Sequence, residues 1–133
     1  VGKKEVRLLL IQEANSFREF FVDWIELSTH FYQIKHISAE TGNEGLELLY
    51  TWCPSVVVID AHVADLNCFT LIEECKKNCI PVFVTSQEQS HEIELSAQQS
   101  GATGYFPAMD DPAMLDQFLA EIVEASEFSS GMH

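Results

Sequence analysis

Lysine and arginine are absent from Asn78 to His133, a stretch that carries nine acids: Glu88, Glu92, Glu94, Asp110, Asp111, Asp116, Glu121, Glu124 and Glu127. All seven basic residues (Lys3, Lys4, Arg7, Arg18, Lys35, Lys76, Lys77) come earlier, and the formal net charge is −14. Proteins hold nucleic acid by neutralising its phosphates, so this domain is not expected to bind it. No apolar run approaches the ~20 residues that a membrane-spanning helix needs, and no membrane role is expected. No secretion signal is expected either, because Val1-Gly2-Lys3-Lys4-Glu5 leads straight into a strand pattern. The four cysteines then read as reduced thiols of a cytoplasmic protein. They include no close C-x-x-C pair with matching histidines, which a structural zinc site would want. Cys68, Cys75 and Cys79 are spaced seven and four apart, the pattern of one helix face, and read as small buried hydrophobes.

What is present is ordinary for a globular domain. The chain has 133 residues, 47% hydrophobic and 21% charged, enough for one core and too few for two. Residues 5–127 are expected to form that domain, with 128–133 as a flexible tail. Apolar runs and helical stretches alternate five times, without repeats or low-complexity segments. Val6 to Ile11 is a nearly continuous apolar run, as expected of a strand covered on both faces. Asn15-Ser16 offers a helix cap, after which Phe17, Phe20, Phe21, Trp24, Leu27 and Phe31 recur at helical spacing. Gln33 to Ala39 reads as a second strand. Thr41-Gly42-Asn43 opens a second helix carrying Leu46, Leu48 and Leu49.

Ser55-Val56-Val57-Val58-Ile59 is the clearest strand, β-branched and ending in Asp60. A helix from about Phe69 to Lys77 follows, then the strand Pro81 to Thr85. The polar stretch Gln87 to Ser100 reads as a helix whose inward residues are Ile93 and Ala97. Gly101-Ala102-Thr103-Gly104 turns the chain into a short strand, Tyr105-Phe106, cut off by Pro107. Pro112 suits the first turn of a last helix, whose buried stripe is Leu115, Phe118, Leu119, Ile122 and Val123.

Such alternation implies an α/β fold, a parallel sheet with helices on both faces and right-handed crossovers. Sites in these sheets lie beyond the carboxyl ends of the strands, near the topological switch point. That rule gathers Gln12, Glu13, Asp60, Thr85 and Tyr105. A carboxylate pair there, Glu13 and Asp60, can hold a hard divalent cation through oxygen. The cation neutralises a phosphoryl group while one carboxylate acts as nucleophile.

Four stretches then resemble the receiver domains of bacterial two-component response regulators. They are Leu9 to Arg18, Val57-Val58-Ile59-Asp60 with Leu71, Pro81 to Ser86, and Gly101 to Phe106. The resemblance implies a flavodoxin-like (βα)5 doubly wound sheet of order 2-1-3-4-5. It makes Asp60 the phosphoacceptor, Thr85 the phosphoryl-sensing hydroxyl and Tyr105 the switch aromatic. Mg2+ would be held by Glu13, Asp60 and the His62 backbone carbonyl, with Gln12 reached through water. The implied partners are a histidine kinase or phosphotransfer protein, and a second copy docked through the fourth helix, fifth strand and fifth helix.

The chain also departs from that pattern. Gln12 stands at the family's first acidic position and adds no charge, while Glu13 is one methylene longer than the usual Asp. Ala64 and Cys68 replace a proline and a glycine, and Met109 replaces another proline. The family lysine that pairs with the phosphoryl group falls on Ala108. A hydrogen bond to a charged group contributes roughly 1.5–3 kcal/mol, so its loss implies phosphorylation with weakened switching. The other expectation is a pseudo-receiver, an interaction or dimerisation module that works without phosphate. An enzyme is not expected: a phosphatase of this kind usually has a second carboxylate two residues after the nucleophile, where this chain has His62.

Overall fold

The computed structural model describes residues 5–12, 16–28, 32–62, 68–86, 90–107 and 112–130, with the backbone alone at 16, 17, 112 and 128–130. Strands and helices alternate: β1 (Val6–Ile11), α1 (Ser16–Leu27), β2 (Ile34–Ala39), α2 (Gly42–Thr51), β3 (Val56–Asp60), α3 (Cys68–Lys77), β4 (Val82–Ser86), α4 (His91–Ser100), β5 (Gly104–Pro107) and α5 (Pro112–Ser130). All neighbouring strands pair in parallel, in the order β2-β1-β3-β4-β5. The α/β flavodoxin-like expectation holds. No described helix is long and apolar enough to cross a membrane.

The central strands are apolar throughout because helices cover both of their faces. Side chains alternate along each strand. Leu8, Leu10, Val56, Val58 and Phe83 therefore join the core that includes Phe21, Ile25 and Phe118 of α1 and α5. Leu9, Ile11, Val57, Ile59, Val82 and Val84 face the other core, with Leu49, Leu71, Ile72 and Ala97 from α2, α3 and α4. Phe118 is a hub of the first core: its ring centroid lies 5.4 Å from Phe21, 5.7 Å from Phe83 and 4.2 Å from Phe106. Across the sheet, Gly45 lets α2 approach β1 closely. A Cβ there would stand 2.5 Å from Cδ1 of the buried Ile11.

Several details differ from the sequence reading. Leu27 is 70% exposed and Phe20 43% exposed, while Ile25 is buried. Phe21 and Ile25, four apart, define the inward line of α1; Phe20 and Leu27, seven apart, share its outer flank. The helix α4 starts at His91 rather than Gln87, capped by Ser90, whose Oγ accepts from the Ile93 N–H at 3.3 Å. Ala97 is buried and Ile93 packs against the same core. Cys68 and Cys75 are buried on α3, but Cys79 is exposed in the turn beyond it, at φ 58°. The three cysteines do not share a helix face, because α3 ends before the third. The helix α5 continues to Ser130, past Glu127.

Removing the Phe118 ring leaves a cavity bordered by three aromatic side chains. Phe118→Ala is expected to lower unfolding free energy by about 3–5 kcal/mol, measured by urea denaturation. A loss under ~1 kcal/mol would contradict its central place.

Candidate functional site

Gln12, Asp60 and Thr85 meet where the strand order reverses, between β1 and β3. Gln12 directly follows β1, and its N–H donates to the Ala39 carbonyl at 3.0 Å, carrying the ladder with β2 one step further. Asp60 ends β3 and stands in register with Thr85 of β4. The Ala61 N–H donates to the Thr85 carbonyl at 2.9 Å and holds that register past the strand end.

The three side chains differ in environment. Asp60 is half-buried, and its Oδ1 accepts from the His62 N–H at 2.8 Å. This local turn orients the carboxylate and leaves Oδ2 without a hydrogen bond among the described residues. Gln12 is 1% exposed and Thr85 2% exposed. The Gln12 side chain reaches across β3, and Nε2 donates to Thr85 Oγ1 at 3.1 Å. The Thr85 hydroxyl in turn points to the Ile59 carbonyl over a long 3.5 Å. Gln12 Oε1 is buried without a partner among the described residues. Leaving such an acceptor unmet costs about 1–3 kcal/mol, so a donor belongs beside it.

Tyr105 lies one strand further out, half-buried against the core of α3 and α4. Its Oη accepts from the Ser90 N–H at 3.4 Å, which connects β5 to the cap of α4. His62 is exposed and reaches the site as a backbone donor. Glu13, Ala64, Ala108 and Met109 lie outside the described residues. The structure therefore unites Gln12, Asp60, His62 and Thr85, with Tyr105 linked through β4.

Two neighbours were not placed by sequence reasoning. Arg18, on the first turn of α1, donates from one guanidinium nitrogen to the Gln12 carbonyl at 3.3 Å and lies 3.6 Å from Glu40 Oε1. It brings a cation to this end of the sheet, on the β1–β2 side. Its place two residues past Ser16 was the available signal. The other is Cys68 at the start of α3. Burial first, then the charge of Asp60, pushes its thiol up to about 12.

The fit to Mg2+ is partial. Asp60 supplies one carboxylate, and the unmet Gln12 Oε1 suits a metal-bound water, which is a donor. The described residues contain no group of three His, Cys, Asp or Glu side chains able to hold a metal.

Comparison with known proteins matched no family model. No curated protein matched either. Solved structures do match. A response regulator receiver domain protein from Clostridium thermocellum superposes with a TM-score of 0.79 at 17% identity, covering 96% of this chain and 99% of that one. The receiver domain of Francisella response regulator 1452 gives 0.77 at 21% identity, covering 93% and 98%. A CheY-like receiver domain protein from Methanospirillum hungatei gives 0.76 at 17% identity, covering 93% and 98%. The chain has the receiver fold over nearly its whole length.

The thiols offer a direct test of this packing. Cys75 is pushed up to about 12, by burial and then by Glu74 and Cys68. A thiol held above its unfolded value of 9.0 stabilises the fold fully below that pH, and this contribution fades as pH rises toward 12. At about pH 8, a thiol reagent is expected to modify Cys53 and Cys79 quickly, and Cys68 and Cys75 only after denaturation. Mass spectrometry of the labelled peptides reads this out. Rapid native labelling of Cys68 would contradict its burial beside Asp60.

Proposed function

We propose that this chain is the receiver module of a two-component signalling pathway, with Asp60 as its phosphoacceptor. The observation that carries the reading is the pairing of Asp60 with Thr85 at the switch point of a receiver fold. Oδ2 of Asp60 attacks phosphorus on the phosphohistidine of a histidine kinase or phosphotransfer protein. The P–N bond breaks, the leaving imidazole takes its electron pair and then a proton, and an acyl phosphate forms on Asp60. Asp60, Glu13 and the His62 backbone carbonyl, with Gln12 through water, are the groups that would hold Mg2+, whose chemistry there is neutralisation of phosphoryl charge. Thr85 reads the new group through its hydroxyl, and Tyr105 conveys the change to α4.

Switching is weak in this reading because Ala108 presents no cation to the phosphoryl group. A second copy of the chain docks through α4, β5 and α5. The protein acts in the cytoplasm and does not itself bind nucleic acid. Enzymatic turnover is not part of this reading, which takes the exposed His62 side chain as a loop residue; steady turnover of a generic phosphate ester would refute that part.

A second reading has its own support. The Thr85 hydroxyl is already engaged by Gln12, as suits a module that signals through its fold without phosphate. Incubation with acetyl phosphate and Mg2+, followed by intact-mass measurement, separates the two. One phosphoryl group is expected on the native chain and none on Asp60→Asn. An unmodified native chain would reject the acceptor role and leave the second reading standing.

A further inference from the structure

We infer that Gln12 is a positioning residue that pins the Thr85 hydroxyl inward, so that Thr85 holds one arrangement whether or not Asp60 carries a phosphoryl group. The inference deepens the receiver reading, since it concerns regulation at that same site. Its basis is the hydrogen bond at 3.1 Å from Gln12 Nε2 to Thr85 Oγ1, across the intervening β3. Both side chains are almost wholly buried, so water does not compete for either group.

The chemistry of a carboxamide makes this different from a carboxylate at the same place. A carboxylate only accepts, and it would draw the Thr85 hydroxyl proton to itself. The Gln12 amide donates, occupying a lone pair of Oγ1 and leaving the hydroxyl proton free. Among the described residues that proton now meets only the Ile59 carbonyl at 3.5 Å, a poor bond. Thr85 can turn it toward a phosphoryl oxygen on Asp60 without moving its own side chain. Phosphorylation thus finds the sensor already drawn in and displaces little.

The effect reaches further along the sheet. Thr85 precedes Ser86 at the end of β4, and β4 pairs with β5 through Val84 opposite Tyr105 and Thr85 opposite Phe106. Tyr105 is bonded to the Ser90 N–H at the cap of α4. A fixed Thr85 therefore steadies the Tyr105–Ser90 connection.

Gln12→Met keeps the side-chain length and removes the amide, and Thr85→Val removes the hydroxyl; both are compatible with burial. The measurement is the Thr85 χ1 rotamer population from methyl and three-bond NMR couplings, with Tyr105 ring shifts followed on adding beryllofluoride and Mg2+. The native chain is expected to show one dominant Thr85 rotamer and little Tyr105 movement. In Gln12→Met the alternative rotamers should rise roughly two- to tenfold, the size of one lost neutral hydrogen bond, and Tyr105 should move more on beryllofluoride addition. An unchanged Thr85 rotamer in Gln12→Met would overturn the inference. So would a native Tyr105 response as large as that of the variant. The rotamer comparison needs no phosphoryl group, so it distinguishes failure here from failure of the acceptor reading, which the intact-mass measurement decides. Loss of the single rotamer in Thr85→Val, read at the methyls of the introduced valine, is the expected counterpart; its persistence would show that packing alone fixes this side chain.

Discussion

The register between β3 and β4, with Asp60 opposite Thr85, is the constraint on which the site depends. In a sheet covered on both faces, side-chain alternation alone pins register weakly, because a slip of one residue still buries apolar groups. The strand ends supply what alternation lacks. Sliding β3 one residue inward would carry the Asp60 carboxylate into the core beside Ile59, at the cost of an unpaired buried charge. The bonds from Val57 N–H to the Pro81 carbonyl at 3.0 Å and from Ala61 N–H to the Thr85 carbonyl at 2.9 Å close the ladder at both ends. One register thus places the Asp60 carboxylate and the Thr85 hydroxyl beside each other.

Legibility in the sequence followed the physics of each element. Nearly continuous apolar runs between turn residues marked β1, β3 and β4, because only doubly covered strands tolerate so little polarity. The crossover rule gathered Gln12, Glu13, Asp60, Thr85 and Tyr105 without any coordinates; all but Glu13, which lies outside the described residues, stand at or near that end of the sheet. What stayed hidden was geometry that spans the sheet. Gln12 and Thr85 are separated by 73 residues and one strand, and no local pattern announces that an amide will bridge them. The start of α4 was equally obscure, since Gln87, Glu88 and Gln89 are good helix formers and only the Ser90 cap decides. Leu27 misled for a simpler reason. Apolar residues on a solvent-facing flank are common, and helical spacing alone does not separate flank from stripe.

Charge gives the site its character. In a chain with a formal net charge of −14, another carboxylate at the lip of the sheet would add repulsion beside Asp60. The carboxamide of Gln12 avoids that and still binds its neighbours. Arg18 reinforces the same corner by joining the Gln12 carbonyl to Glu40 across β1 and β2. The result is a corner in which both ends of Gln12 are engaged, its carbonyl by Arg18 and its Nε2 by Thr85, while Oε1 stays open among the described residues.

The two indoles sit far from this cleft. Trp52 caps the lower end of α2, where its ring lies 4.1 Å under the Arg7 guanidinium and its carbonyl accepts from the same group. Trp24 lies in the last turns of α1, two turns or more below the lip, with its Nε1 buried and unpartnered among the described residues. Tryptophan fluorescence of this protein consequently reports on the packing of α1 and α2 away from the strand ends that carry Asp60 and Thr85. A probe of that edge of the sheet would instead sit near Ser90, where the cap of α4 meets Tyr105 of β5.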